Sequence, residues 1–191
     1  MIQAAAIGNQ FVWVEEVQGP LSRRGKGRVV RIDDGPSPPC HEELYRSVYL
    51  SDERFRDYVA EHKGKDNPSG IKGFDGPCSV RYLPFDIDRE TELNGTKRPD
   101  WTAAVSAAHQ LLAHLRDVHG VDPATVPCSL TGGRGVHVYL PATLFGDFEP
   151  SERVPEIVCA VASALAQEAR IEIDNAIYGR RNIGRASTAC R

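Results

Sequence analysis

Asp86 and Asp88, in the stretch YLPFDIDRE at residues 82–90, are two carboxylates two positions apart in an otherwise apolar run. In an extended strand, side chains two apart share a face, so Asp86 and Asp88 lie together while Phe85 and Ile87 lie opposite. Carboxylates held together repel, and burying them is costly unless a cation sits between them. Taken alone, the pair fits a solvated edge-strand face better. Two further segments repeat the pattern. In GVHVYLP, Val136, Val138 and Leu140 take one phase and leave His137 and Tyr139 on the other. In RIEIDNA, Ile171 and Ile173 leave Glu172 and Asp174. If these segments pair as strands of one sheet, Asp86, Asp88, His137 and Asp174 converge. Three carboxylates suit hard divalent cations such as Mg²⁺. Two such ions, about 3.5–4 Å apart, clamp the attacking and leaving oxygens of a phosphoryl transfer.

The turn TGGRGVH, residues 131–137, carries groups that a triphosphate needs. Gly132, Gly133 and Gly135 allow backbone N–H groups close to phosphate oxygens. Thr131 offers a hydroxyl, Arg134 a guanidinium fork and His137 a ring donor. A glycine-rich hairpin with an incidental arginine would be spelled the same way.

The surrounding elements must hold these groups. QFVWVEEV and GRVVRID read as a hairpin with a long tip. Residues 41–62 read as helix, in two pieces meeting near Ser51, and residues 64–78 as a loop; Lys63, Lys65 and Lys72 could reach a ligand, but solvent-exposed lysines are the favoured reading. SVRYLPFDIDRE follows as a strand. Residues 99–120 read as a helix capped by Asp100 and ended by Gly120, with Trp101, Val105, Ala108, Leu112 and Leu115 as its apolar stripe. His109, His114 and His119 on this helix are expected to face solvent or cap its C-terminus. CSLTGGRGVHVYLP reads as strand, turn and strand; residues 151–169 as a helix with Pro155 in the first turn; and RIEIDNAIYGRRNIGR as a strand running into a basic turn. The expected class is α+β, a two-layer domain of sheet and helices.

Composition narrows the function. The 191 residues are 41% hydrophobic and 26% charged, ordinary for a globular protein. No apolar run reaches the roughly 20 residues needed to span a bilayer, and the first residues lack a basic region and long apolar core, so a cytoplasmic protein without membrane contact is expected. Cysteines 40, 78, 128, 159 and 190 are odd in number and scattered, which favours reduced thiols over a disulfide framework; Cys40–His41 offers two metal ligands at most. The formal charge of −3 argues mildly against nucleic acid. Two acid-free basic clusters soften that argument: RRGKGRVVR at 23–31, and Arg180, Arg181, Arg185 and Arg191 at the end.

F-D-I-D, then T-G-G-R-G-V-H after a helix, then I-E-I-D after a second helix resembles the archaeo-eukaryotic primase superfamily. That group includes primase small subunits, the polymerase domain of bacterial end-joining ligases and plasmid or phage primase-polymerases. The resemblance covers residues 80–185. It implies an N-terminal α/β part, placed at 1–79 by position only, and an RRM-like catalytic part at 80–191. Asp86, Asp88 and Asp174 would be the catalytic residues and bind two Mg²⁺ or Mn²⁺ ions. Thr131, Gly133, Arg134, Gly135 and His137 would hold the triphosphate of an NTP or dNTP. Thr131 stands where the family often has serine, and Arg134 where some members have lysine; hydroxyl and charge are kept. Family members usually continue well beyond the third motif, whereas here 17 residues follow Asp174, so the expectation is either an excised domain or a chain lacking parts that grip template and primer.

Arg180 and Arg181 follow Asp174 closely enough to screen triphosphate or template backbone; a solvated terminus is the bland alternative, and the screening role is favoured because the arginines arrive where negative charge must be gathered. The leading expectation is a DNA primase or primase-polymerase acting on a single-stranded template or primer–template, alone or beside a helicase or other replication or repair domain. A non-catalytic nucleotide- or single-stranded-DNA-binding accessory module and, less favoured, a metal-dependent nuclease are the competing readings. The carboxylate trio argues against the first and the turn against the second.

Overall fold

The computed structural model describes residues 11–18, 27–33, 44–64, 70–131, 135–179 and 183–185. The class is α+β: antiparallel sheets with three α-helices among the described residues. The described residues fall in two compact units, one drawn from Met1–Arg81, Asp147–Pro155 and Gly179–Arg191, the other from Tyr82–Gly146 and Glu156–Tyr178.

In the first unit, β1 (Trp13–Gln18) pairs antiparallel with β2 (Arg28–Arg31), as the sequence predicts for a hairpin. Its other edge takes β3 (Leu44–Ser47) and β4 (Tyr49–Ser51), and the sheet runs on to β5 (Cys78–Val80) beyond β4 and β11 (Ile183–Arg185) beyond β3. Residues 44–51 are therefore strand, not the first piece of a helix. Tyr45, Tyr49 and Leu50 are buried there, and ladder bonds to three strands outweigh a weak local helix pattern. Helix α1 (Glu53–His62) starts only at Asp52, whose carboxylate accepts the Arg54 N–H, so the cap lies one residue beyond Ser51, the expected meeting point of two helical pieces.

The second unit is built on β6 (Tyr82–Asp88), which pairs antiparallel with β10 (Gly135–Pro141), itself paired with β9 (Cys128–Leu130). The apolar phase expected of both long strands is buried, and on the opposite phase Pro84, Gly135 and His137 are buried as well. Leu83, Phe85, Ile87, Val138 and Leu140 are all fully buried and pair across the two strands on one face. Helix α2 (Trp101–His119) packs on β6 and β10. Its caps fall where expected: Asp100 Oδ1 accepts the Ala103 N–H at 2.9 Å, and Gly120 takes φ +67°. The buried stripe differs, being Ala104, Ala107, Ala108, Leu111 and Leu115, while Trp101 and Val105 are exposed. The alanines let the helix lie close to the sheet. Helix α3 (Val154–Glu168) carries Pro155 in its first turn and buries Val158, Ala162, Leu165 and Ala166.

Between β6 and α2 stands a short exposed hairpin, β7 (Glu90–Leu93) and β8 (Thr96–Pro99), turned by Asn94 and Gly95, both at positive φ. An Asn-Gly pair is the strongest short hairpin signal, and the reading of this segment passed over it. The expected strand at 171–174 is also absent. Ile171–Asp174 is irregular, and Asn175–Tyr178 is a 3₁₀ helix. Asp174 turns the chain there, its Oδ1 accepting the Ala176 N–H at 2.8 Å, so a ladder never propagates. No helix among the described residues is long and apolar enough to cross a membrane.

Candidate active site on the polar face of the β6–β10 pair

Register sets the site. Asp88 stands opposite Gly135, Asp86 opposite His137, and Pro84 opposite Tyr139. The outer edge of β6 is served by other groups: the Asp86 carbonyl accepts the Asp174 N–H at 2.9 Å, and the Pro84 carbonyl accepts the buried Tyr178 hydroxyl at 2.5 Å. Since Asp86 and Pro84 direct their backbone groups away from β10, they form non-hydrogen-bonded pairs with His137 and Tyr139, in which side chains lie closest. The same geometry makes proline acceptable at 84, where no ladder N–H is required.

The pairing brings Asp86 and His137 together. His137 is 6% exposed. Its Nδ1 and the Tyr139 hydroxyl are hydrogen-bonded at 3.0 Å, which fixes the ring. Its Nε2 lies 3.4 Å from Asp86 Oδ1, within ion-pair reach but outside hydrogen-bonding geometry. Asp86 Oδ1 is itself buried and has no hydrogen-bond partner among the described residues. A buried anionic oxygen with no donor is expensive, and a cation relieves that cost.

Gly135 closes the other end. A β-carbon there would sit 2.6 Å from the Ile87 carbonyl oxygen and overlap the Asp88 carboxylate, so only glycine lets Asp88 occupy this position. Thr131 and Gly135 close the hairpin on each other: the Thr131 N–H donates to the Gly135 carbonyl at 3.0 Å, and the Gly135 N–H to Thr131 Oγ1 at 3.1 Å. The Thr131 hydroxyl oxygen thus shapes the turn. Gly132, Gly133 and Arg134, between these two residues, lie outside the described residues, as do Arg180 and Arg181.

Asp174 joins β6 through its backbone, its exposed carboxylate capping the 3₁₀ helix. Arg89 ties the same segments together, donating to the Asp88 carbonyl at 2.7 Å and to the Glu172 carbonyl at 3.1 Å. Arg89 and Tyr178 hold these segments together without having stood out in the sequence, and Tyr139, read there only as sharing the His137 face, fixes the His137 ring. For Arg89 a signal existed in its adjacency to F-D-I-D; for Tyr178 there was none, since its partner is 94 residues away.

In donor chemistry the site offers carboxylate oxygens on one sheet face, one of them buried and unsatisfied, beside a fixed imidazole. That set fits a hard divalent cation such as Mg²⁺ or Mn²⁺. No family model matches the chain, and no solved structure matches it. Over 71 residues, 37% of its length, the chain is 35% identical to the DNA primase small subunit PriS of Methanospirillum hungatei, and it spans 18% of that protein. The similarity is thus to a primase subunit, over a part of each chain.

Proposed function

We propose that this chain is the catalytic domain of a template-directed nucleotidyltransferase of the primase–polymerase type, joining an NTP or dNTP to a 3′-hydroxyl with release of pyrophosphate. The observation that carries the reading is Asp86 Oδ1, a buried carboxylate oxygen without a donor among the described residues, facing His137 across a pair of strands whose motifs resemble those of primases. The similarity to a primase small subunit supports it from the other side.

In this reading Asp86, Asp88 and Asp174 hold two Mg²⁺ or Mn²⁺ ions. When bound, such ions lower the pKa of the attacking hydroxyl and neutralise charge building on the α-phosphate. The chain's own groups position and screen. His137, its ring fixed by Tyr139, turns Nε2 toward the carboxylates and donates to a phosphate oxygen of the nucleotide. Thr131, Gly133, Arg134 and Gly135 form the triphosphate turn, with Arg134 supplying a fork for phosphate. Arg180 and Arg181 screen triphosphate or template. Tyr178 and Arg89 keep the Asp174 segment against β6.

The test incubates the protein with primed and unprimed single-stranded templates, Mg²⁺ or Mn²⁺, and NTPs or dNTPs, reading product length and pyrophosphate. Template-dependent incorporation that disappears in Asp86→Asn is expected. Undiminished incorporation by that variant would place the chemistry elsewhere. Cleaved template without pyrophosphate would instead mark a nuclease, and nucleotide binding without either product an accessory module.

A further inference from the structure

A second cluster of ligand-type side chains lies in the same unit, on the ends of two helices. Among the described residues, His114 and His119 of α2 and Glu168 in the last turn of α3 bring one ligand atom each to within 4.8 Å of the other two. Both Nε2 atoms approach the same oxygen, Glu168 Oε2, at 3.3 Å each. The rings meet edge to face with centroids 5.4 Å apart. Hydrogen bonding from His114 and then His119 holds the Glu168 carboxyl below the ordinary glutamate range.

An ordinary surface pair sets one flexible cation against one carboxylate. Here two imidazoles converge on one atom, and the spacing has a meaning. A tetrahedral Zn²⁺ with bonds of about 2.0–2.1 Å sets its ligands about 3.3–3.4 Å apart along each edge. The two N···O edges match that spacing, and all three donor atoms lie within 4.8 Å of one another, so the cluster is of a size that one ion can span. The donors discriminate as well: two imidazole nitrogens and one carboxylate suit Zn²⁺ and its neighbours, whereas Mg²⁺ prefers oxygen throughout.

The frame beneath the cluster is rigid. Gln110 Nε2 donates to the Ala169 carbonyl at 2.8 Å, binding α2 directly to the end of α3. The Ile171 N–H returns to the Ala166 carbonyl at 2.9 Å, and Leu111, Leu115, Leu165 and Ala166 are buried. His114 is the more enclosed of the two rings, 18% exposed in its side chain against 36% for His119, so the cluster opens to water on one side.

We infer that His114, His119 and Glu168 bind one transition-metal ion of the Zn²⁺ class, with a fourth position open to water, and that the ion staples the end of α2 to the end of α3. This site differs in donor chemistry from the carboxylate face and does not depend on the reading of that face.

Calorimetric titration of metal-stripped protein with ZnCl₂ tests it, on the wild type, His119→Gln, His114→Gln and, as a control for the carboxylate face, Asp86→Asn. One stoichiometric Zn²⁺ is expected, weakened at least about tenfold in either histidine variant and unaffected in Asp86→Asn. Co²⁺ in place of Zn²⁺ should give the intense visible absorption of a four-coordinate ion, lost in the same two variants. Zn²⁺ should also raise the Tm of the wild type but not of His119→Gln. Absence of stoichiometric Zn²⁺ binding overturns the inference. So does Zn²⁺ binding that survives both histidine replacements, or that is lost in Asp86→Asn alone.

Discussion

Glu16, in the sheet of the first unit, and Asp86, in the sheet of the second, are both acids placed on strands with a buried carboxylate oxygen. Glu16 is 1% exposed, and each of its oxygens accepts two guanidinium N–H groups. Arg28 donates to Oε1 at 2.7 and 3.1 Å, and Arg46 to Oε2 at 2.9 and 3.0 Å. Those three residues come from β1, β2 and β3, so the charge cluster also pins the order of the strands. Asp86 Oδ1 is buried yet has no such donor among the described residues, only a histidine nitrogen at 3.4 Å in poor geometry. The fold thus has the means to satisfy a buried carboxylate completely and does so at Glu16. Where it leaves one unsatisfied, the missing counter-charge points to a ligand, and local rules are broken most often at functional sites.

Removing each charge should therefore do opposite things. Asp86→Asn should lower nucleotide incorporation at least about 100-fold, while Tm stays level or rises, because the lone charge and its repulsion with Asp88 go with it. Glu16→Gln should leave the chemistry of the second unit alone and cost stability, since two guanidinium groups lose their counter-charge. We expect about 3 kcal/mol, the low end for removing one member of a buried pair, because Arg28 is half exposed and can turn to water. For a chain of this length that is a fall in Tm of roughly 6–12 °C, read by circular dichroism. A large Tm loss in Asp86→Asn, or none in Glu16→Gln, would erase the contrast between them.

A third substitution sharpens the comparison inside the second unit. Gly135→Ala puts a methyl group into the Asp88 carboxylate and the Ile87 carbonyl, so β6 and β10 must part. Overpacking of this sort costs about 2 kcal/mol, and incorporation should fall with it. If activity and Tm both stay at wild-type values, Asp88 does not need its present position.

The parts of this arrangement that were legible in the sequence are local ones. Period-two alternation in 83–88 and 136–140 identifies the buried face and with it the face shared by Asp86, Asp88 and His137. Asp100 and Gly120 mark the ends of α2 because capping is decided within one turn. What escaped depends on distant partners. Residues 44–51 became strand through pairing with β1, β5 and β11, which no local pattern announces. The stripe of α2 was misplaced because counting large side chains favoured Trp101 and Val105 over the alanines that lie against the sheet. Ile171–Asp174 alternates like a strand, with Ile171 buried and Glu172 exposed, but Asp174 captures the Ala176 N–H and ends the run. The His114–His119–Glu168 cluster joins residues 49 and 54 positions apart and could be found only in the fold.

The smallest expected effect isolates how the third carboxylate is held. Asp174 reaches β6 by one backbone bond, to the carbonyl of Asp86, and the chain beyond it is tied to the same edge by the Tyr178 hydroxyl on the Pro84 carbonyl. Tyr178→Phe keeps the ring and removes the hydroxyl that makes that bond. A hydrogen bond of this kind is worth about 1 kcal/mol, so stability should fall by about that much. If the bond positions Asp174, part of the loss will appear in the site. The Mn²⁺ concentration giving half-maximal incorporation should then rise by up to about fivefold, since 1.4 kcal/mol corresponds to tenfold, while template affinity is unaltered. A Tm loss with no change in Mn²⁺ dependence would mean that the backbone bond alone sets Asp174 and that Tyr178 serves the core. Unlike Glu16, held by four guanidinium N–H groups, the Asp174 segment would then meet β6 through the Asp174 N–H on the Asp86 carbonyl and through Arg89 on the Glu172 carbonyl, and it would be the place where the site adjusts to what it binds.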